Sequence, residues 1–153
     1  APSGVKVIDL AIMAPVPPKG ILTPLLASGE YAAEFLELVK PLNLNISMVK
    51  NSQIGDAATR KLLRSIVYKG IAAVVCEAME AGEAFGMENY IRGQISSLIG
   101  GNDDLIDRFV EGSKIHAVRR MHEMEAVMEM LENQGIEPII TKGTRNNLEK
   151  LSR

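Results

Sequence analysis

The sequence predicts two parts of different fold class, a short α/β segment followed by an all-helical domain. Three observations indicate this. The first third of the chain is rich in β-branched residues and alternates apolar with polar positions, which is typical of strands. After Gly55 the apolar residues recur at helical spacing instead. Glycines then punctuate the chain at Gly100-Gly101 and at Gly135, as expected between helices. We therefore expect an α/β part over residues 1–51 and a helical domain over 52–153.

The α/β part is expected to contain three strands and one helix. The strands are predicted at residues 5–13, 21–27 and 45–49. The helix is predicted to open at Ser28-Gly29-Glu30, with Ser28 as its cap, and to run to about Leu42. Three strands are few for a stable sheet, and the first has no earlier strand to pair with. We expect that sequence upstream completes this sheet.

The helical part is expected to begin with a long helix at Asp56, whose carboxylate can cap it. Its apolar residues are broadly distributed and nearly continuous from Ile71 to Cys76, which predicts a central helix packed on all sides. Gly70 and Gly82 are expected to allow close helix packing. This helix is predicted to run to about residue 86. Further helices are predicted at about 87–100, 103–114, 117–134 and 141–152.

Composition limits the functional classes. The chain has 153 residues, of which 46% are hydrophobic and 24% charged, as in globular proteins. Its net charge of −2 predicts no bulk attraction to nucleic acid or to an anionic membrane. No apolar run approaches the roughly 18 residues of a membrane span. The single cysteine, Cys76, is expected in the core and fits a reducing cytoplasm.

Common cofactor and metal motifs are absent from the 153 residues. There is no Gly-x-Gly-x-x-Gly after a strand, and there is no phosphate-binding Gly-x-x-x-x-Gly-Lys-Ser/Thr. His116 and His122 are six residues apart, which does not place them on one helix face as a metal-binding pair. We therefore expect no metal site.

The start of the long helix carries a polar group of candidate site residues. Lys61, Arg64, Ser65 and Tyr68 are three to seven residues apart and share one helix face. A half-buried lysine at the start of a core helix can donate or accept a proton. An arginine beside it attracts a carboxylate or a phosphate. The alternative interpretation is an ordinary solvated cationic stripe, which the spacing alone favours.

A second group of polar residues opens the fourth predicted helix of this part. His116, Arg119, Arg120, His122 and Glu123 lie within eight residues. An arginine here could grip a substrate carboxylate with two hydrogen bonds. The alternative is a polar helix face in which the acid pairs with one of the arginines at helical spacing.

The segment that starts at Gly55 resembles the start of the helical domain in β-hydroxyacid dehydrogenases and in the C-terminal domain of 6-phosphogluconate dehydrogenase. That family carries Gly-x-Gly-x-x-x-Lys-x-x-x-Asn on a long helix after its Rossmann-type dinucleotide-binding domain. Gly55 matches the first glycine and Lys61 the lysine, whereas Ala57 and Ser65 replace the second glycine and the asparagine. The resemblance implies that Lys61 handles the proton of the substrate hydroxyl while hydride moves to nicotinamide.

The resemblance extends to the first strand. Asp9 to Pro15 stands where the family has Asp-Ala-Pro-Val-Ser-Gly-Gly, with Met13, Ala14 and Pro15 in place of Ser-Gly-Gly. Later residues are similar to a less characterised archaeal and bacterial branch of the family. The residues that the resemblance implies for substrate binding are Met13, Ala14, Arg64, Ser65, Tyr68, His116, Arg119 and Arg120.

The resemblance implies the C-terminal part of an oxidoreductase that uses NAD or NADP and a small hydroxy or keto acid. Residues 1–51 would then be the late strands of a dinucleotide-binding domain. Residues 52–153 would be a substrate and dimerisation domain, through which a homodimer is expected. The glycine-rich cofactor-binding segment is not in this chain, so cofactor-binding residues are not assigned. The alternative hypothesis is a non-catalytic helical module whose role is dimerisation.

Overall fold

A computed structural model describes residues 4–153, apart from the side chain of Ala81. Its strands are β1 (Asp9–Ile12), β2 (Leu25–Ser28) and β3 (Ile46–Met48). Its α-helices are α1 (Ala32–Val39), α2 (Asp56–Ala84), α3 (Glu88–Leu98), α4 (Asp103–Ile115), α5 (Ala117–Glu132) and α6 (Ile139–Leu151). An α/β segment therefore precedes an all-helical part, which confirms the predicted fold class. The first three residues of the predicted α/β part lie outside the described residues.

The three strands form one sheet in the order β1-β2-β3. β1 runs antiparallel to β2, with Asp9 opposite Ser28, and β2 runs parallel to β3, with Leu25 opposite Ile46. Parallel neighbours need a crossover connection, and α1 supplies it. The segment from β2 to β3 is thus a βαβ unit.

Two predicted strands were too long. The strand predicted at 5–13 begins only at Asp9, because its partner β2 ends at Ser28 and the chain then turns at Gly29 with φ of 111°. The strand predicted at 21–27 begins at Leu25. The residues before it, Gly20–Leu22, form a 3-10 turn that the Thr23 N–H closes onto the Gly20 carbonyl.

The predicted cap of the first helix was also wrong. Ser28 is the last residue of β2, and α1 begins four residues later at Ala32. The residue that precedes this helix, Tyr31, makes no capping hydrogen bond with its side chain. The backbone turn at Gly29 separates Ser28 from α1 and leaves its hydroxyl for another helix.

The later helices occur where the sequence predicts them, with ends shifted by no more than a few residues. Asn102 caps α4, because its side-chain oxygen accepts a hydrogen bond from the Leu105 N–H. The core of this helical part consists of Ala72, Val75, Met79, Ile106 and Phe109. Cys76, which lies on α2, is also buried, as the sequence predicted.

The prediction that α2 is packed on all sides was wrong. Leu63, Val67, Ile71 and Val74 are 45 to 67% exposed. The buried side of the same helix includes the polar residues Ser65 and Lys69. The sequence pattern correctly indicated a broadly apolar helix, but it could not indicate which side faces the protein. Among the described residues, none of the helices is both long enough and apolar enough to span a membrane.

The chain divides into two compact units. The first ends at Leu62 and contains the sheet, α1 and the first turns of α2. The second, Leu63–Arg153, contains the rest of α2 and the later helices. The division between the units falls within α2, eleven residues after the boundary expected from the change in sequence pattern.

Candidate functional site

The N-terminus of α2 is fixed by two side chains from the sheet. The hydroxyl of Ser28 accepts a hydrogen bond from the Ala57 N–H at 2.9 Å. The carboxylate of Asp9 accepts one from the Ala58 N–H at 3.0 Å and another from the Ser28 hydroxyl at 3.0 Å. The first N–H groups of a helix have no partner within it, so these bonds satisfy them. A carboxylate here also interacts favourably with the positive end of the helix dipole.

The turn into α2 depends on Gly55. Its φ of 100° lies in the left-handed region, which glycine adopts without strain. Directly after it, the Asp56 carboxylate accepts a hydrogen bond from the Gln53 N–H at 2.9 Å, so this side chain holds the turn before the helix. The glycine that the sequence places at the start of the motif is therefore required by the backbone.

Lys61 lies in the second turn of α2, five residues after Asp56, and is half-buried. Within the described part of the chain, its ammonium group makes no hydrogen bond or ion pair. Met13 and Ala14, in the same unit, directly follow β1 and are half-buried. The Met13 N–H donates to the Pro24 carbonyl at 2.9 Å, which continues the pairing of β1 with β2.

In the helical unit, Ser65 is buried in a polar cluster between α2 and α5. Its hydroxyl donates to Glu123 Oε1 at 3.1 Å and accepts from Lys69 Nζ at 2.9 Å. The ammonium of Lys69 lies 3.0 Å from the same Glu123 oxygen. We call Ser65, Lys69 and Glu123 the buried polar cluster.

Burial and the neighbouring charge act in opposite directions on the pKa values of Lys69 and Glu123. Burial lowers the pKa of Lys69, and the nearby carboxylate of Glu123 offsets only part of that effect. Burial alone would raise the pKa of Glu123, but the charge of Lys69 and the hydrogen bonds from Lys69 and Ser65 outweigh it and lower the pKa. The lowered pKa of Glu123 therefore depends on the presence of its partners Lys69 and Ser65.

The two arginines of α5 have different surroundings. Arg119 is exposed and its Nη1 lies 3.4 Å from Glu123 Oε2. Glu123 and Arg119 thus pair at helical spacing, as expected if this group is a polar helix face. Arg120 is buried and donates from Nη1 to the Ser113 hydroxyl at 2.9 Å. Burial lowers the pKa of Arg120. Tyr68 packs edge-on against Phe109, with ring centroids 5.1 Å apart.

His116 lies at the junction of α4 and α5 and is exposed. It lines a shallow depression of about 610 Å³ together with Lys114, Arg119 and His122. Leu151 and Ser152 also line the depression. A lysine, an arginine and two histidines therefore line one concave surface.

The structure brings together some of the predicted residues. Ser65 and Arg119 both contact Glu123, and His116 and Arg119 share the depression. Lys61, Met13 and Ala14 belong to the other compact unit, and Arg64 is exposed on α2. Roles in substrate binding stay predictions for this whole set.

Sequence reasoning missed the role of Lys69 and the capping role of Asp9 and Ser28. Lys69 follows Ser65 by four residues, which places the two on one helix face, and this signal was available. The bonds from Asp9 and Ser28 to α2 join residues 29 to 49 positions apart. No local pattern indicates contacts of that separation.

Three comparisons with other proteins relate the chain to known sequences and structures. Residues 83–151 match a family model described as a domain of unknown function, DUF1932. An uncharacterised 28.5 kDa protein of Methanothermus fervidus is 28% identical over 142 residues, which cover 92% of this chain and 55% of that protein. Both the family model and this relative lack a described activity.

Two solved structures have a similar fold. One is a conserved protein of unknown function described as structurally similar to 3-hydroxyacid dehydrogenases. It is 33% identical, with a TM-score of 0.81 over 94% of this chain and 55% of that chain. The other is a conserved hypothetical protein from Sinorhizobium meliloti, 28% identical, with a TM-score of 0.78 over 93% of this chain and 48% of that chain.

The chain thus spans about half the length of the relatives it matches. The family resemblance inferred from Gly55, Lys61 and the order of the elements is confirmed by the matched helical domain and the matched structures. The fold of the chain resembles that of a protein described as structurally similar to 3-hydroxyacid dehydrogenases, and residues 83–151 match the DUF1932 model.

Proposed function

We propose that this chain supplies the proton-transfer residue, Lys61, to an oxidoreductase that acts on a small hydroxy or keto acid. The observation that carries the proposal is the position of Lys61. It lies one turn into a helix whose start is anchored by Asp9 and Ser28, in a chain with a 3-hydroxyacid dehydrogenase-like fold. Its half-buried ammonium group has no partner among the described residues, so its hydrogen-bonding capacity is available to a substrate.

The proposed role of Lys61 is a proton transfer at Nζ. In the direction of reduction, the ammonium donates a proton to the substrate oxygen that becomes the hydroxyl. In the direction of oxidation, the amine takes that proton back. A positioned acid or base of this kind contributes about 10²- to 10⁴-fold to a rate. Arg64, three residues along α2 and exposed, is proposed to attract the substrate carboxylate.

The other predicted residues divide by accessibility. Met13 and Ala14 are proposed to contact substrate from the end of β1. His116 and Arg119 are exposed at the depression and remain candidates for a carboxylate contact. Ser65 and Arg120 are buried and hydrogen-bonded within the protein, so we propose that they hold α2, α4 and α5 in place.

The cofactor implied by the family is NAD or NADP. The residues present do not fit a dinucleotide site, because the 153 residues contain no Gly-x-Gly-x-x-Gly segment. The dinucleotide would have to be bound by residues outside this chain. We therefore assign to this chain only the proton transfer and the contacts to the acid.

The test uses a protein that carries this chain together with a dinucleotide-binding domain. Oxidation of a panel of small hydroxy acids is followed with NAD and with NADP. Changing Lys61→Met is expected to lower kcat by about 10²- to 10⁴-fold, as for loss of an acid or base. The matched control is Lys50→Met, an exposed lysine of the same unit, which should leave kcat unchanged. Near-normal turnover in Lys61→Met would remove the proposed role.

A second candidate function is a non-catalytic dimerisation module. The observation that favours it is the exposed apolar side of α2. Titration with NAD and NADP, combined with a measurement of oligomeric state, separates the two functions. A dimer whose substrate turnover does not depend on Lys61 would support the module.

A further inference from the structure

One carboxylate oxygen joins three elements of the first compact unit. Asp9 Oδ2, on β1, accepts hydrogen bonds from the Ser28 hydroxyl of β2 and from the Ala58 N–H of α2, each at 3.0 Å. The Ser28 hydroxyl in turn accepts a hydrogen bond from the Ala57 N–H at 2.9 Å. The same unit contains Lys61. We call Asp9 and Ser28 the strand pair.

The strand pair is held in place by the sheet. Asp9 lies directly opposite Ser28 in the antiparallel pairing of β1 with β2. Ser28 is fully buried, and the chain that follows it is fixed because the Gly29 N–H donates to Ser52 Oγ at 3.1 Å. Side chains whose rotamers are locked by packing and hydrogen bonds can hold a neighbouring group within a fraction of an ångström. The sheet can therefore fix the start of α2.

Two hydrogen bonds to successive residues fix both the position and the rotation of the helix start. Ala57 and Ala58 belong to the first turn of α2, whose N–H groups have no acceptor within the helix. Ala57 is fully buried, which shields its bond to Ser28 from water. The bond from Ala58 goes to a carboxylate, and hydrogen bonds to an ionised group are roughly twice as strong as neutral ones. Asp9 is therefore the stronger of the two anchors.

The position of Lys61 depends on the helix rather than on bonds of its own side chain. Lys61 is half-buried, and among the described residues its ammonium group makes no hydrogen bond or ion pair. It follows Ala58 by three residues, which is less than one turn. A helix rotation of about 10° would move an atom about 5.5 Å from the axis by about 1 Å. Since a misplacement of about 1 Å can cost about 100-fold in rate, small changes at the helix start are expected to affect proton transfer.

We infer that Asp9 is a positioning residue for Lys61, because with Ser28 it sets the rotation of α2 at which Nζ reaches the substrate oxygen. The inference rests on the proposed role of Lys61 in proton transfer. Asp9 needs no contact with substrate for this role, since it acts through the backbone of Ala58. Without the carboxylate, only the neutral bond from Ala57 to Ser28 stays, and the first turn can rotate and fray. An ordinary helix cap would affect only the amount of folded protein, so activity per folded molecule distinguishes the two roles.

The first measurement compares kcat and KM of Asp9 variants in a protein that carries this chain together with a dinucleotide-binding domain. Asp9→Ala is expected to lower kcat, per mole of folded protein, by about 10- to 100-fold, because a misplaced acid or base loses much of its effect. KM should change by less than about threefold, since Lys61 acts in the transition state rather than in binding. Asp9→Asn keeps an acceptor oxygen and should recover kcat to within about threefold of wild type. Glu37→Ala, on an exposed acid of α1 in the same unit, is the matched control and should leave kcat unchanged.

A double variant tests whether Asp9 acts through Lys61. If it does, Asp9→Ala/Lys61→Met should have the same kcat as Lys61→Met alone, because an absent side chain cannot be misplaced. A further loss of about tenfold in the double variant would show that Asp9 acts by another route and would overturn the inference. Ser28→Ala serves as the second variant if Asp9→Ala folds poorly. It leaves the bond between Asp9 and Ala58 in place and is expected to lower kcat by about 3- to 10-fold.

The outcomes separate this inference from the proposed function. A large loss of kcat in Lys61→Met, with normal kcat in folded Asp9→Ala or Ser28→Ala, overturns the positioning role and leaves the proton transfer in place. A rise in KM with unchanged kcat in Asp9→Ala also overturns it, since Asp9 would then contribute to binding. Equal losses in Asp9→Ala and Asp9→Asn would show that the charge of Asp9 matters rather than its hydrogen bonds, which again overturns it. Near-normal kcat in Lys61→Met removes the proposed function and this inference with it.

Discussion

Ser65 and Glu123, 58 residues apart in the chain, are joined by a hydrogen bond of 3.1 Å from the serine hydroxyl to Oε1. The same carboxylate oxygen lies 3.0 Å from the ammonium of Lys69. One carboxylate thus connects a serine and a lysine of α2 to α5. The buried polar cluster fixes the inward side of α2, and that leaves the apolar side of the helix exposed.

Removing the carboxylate is expected to destabilise the helical unit. Glu123→Ala leaves the buried ammonium of Lys69 without its counter-charge, which costs about 3 kcal/mol. The control Arg119→Ala removes an exposed partner of the same carboxylate and should cost less than about 1 kcal/mol. Urea unfolding followed by circular dichroism measures both values. Equal effects of the two substitutions would show that the Lys69 pairing is unimportant.

Because the pKa of Glu123 is lowered in the folded protein, its contribution depends on pH. The ionised carboxylate stabilises the fold above its unfolded pKa of about 4.3, and this contribution is lost as the pH falls through the lower folded value. We expect the free energies of unfolding of wild type and Glu123→Gln to differ most near pH 7 and to converge below about pH 4. Chemical unfolding at several pH values measures this, and a constant difference would argue against the assignment.

The two glycines of neighbouring helices should respond oppositely to substitution. A Cβ on Gly82 would lie 3.1 Å from Ile91 Cγ1 and 3.2 Å from Ile91 Cβ, closer than normal packing. Gly82→Ala is therefore expected to destabilise the protein by about 1–3 kcal/mol. Gly93, inside α3, has no atom within 4 Å of that position, so Gly93→Ala should stabilise by about 0.5–1 kcal/mol. Thermal unfolding of both variants tests the contrast, which fails if Gly82→Ala is neutral.

The cap on α2 can be tested from the side of the sheet. Ser28→Ala removes the acceptor of the Ala57 N–H, and the loss of such a cap costs about 1–2 kcal/mol. Ser97→Ala, at an exposed position, is the control and should change stability little. Hydrogen exchange of the Ala57 and Ala58 amides should accelerate in Ser28→Ala. Unchanged exchange at both amides would contradict a capping role.

Local patterns were sufficient for much of the fold. The helices after Gly55 were predicted because each carries its own apolar period and is bounded by a glycine or a cap such as Asn102. Strand lengths were predicted poorly, because they depend on the partner: β1 extends only as far as β2 pairs with it. The exposed side of α2 was missed because the inward side is set by tertiary contacts, which include the hydrogen bonds of Ser65 and Lys69 as well as the apolar core.

The candidate site was predictable to a similar degree. The Gly55-to-Lys61 spacing identified the start of α2 and the family resemblance, since backbone geometry and helix position are local properties. The partners of Ser65 could not be predicted, because Glu123 is on another helix.

The most direct test of the account compares the two lysines of α2. In a protein that carries this chain together with a dinucleotide-binding domain, kcat is measured for Lys61→Met and for Lys69→Met, per mole of folded protein. We expect Lys61→Met to lower kcat by about 10²- to 10⁴-fold with little change in stability. We expect Lys69→Met mainly to lower stability. Near-normal turnover in Lys61→Met, with a large loss in folded Lys69→Met, would contradict it.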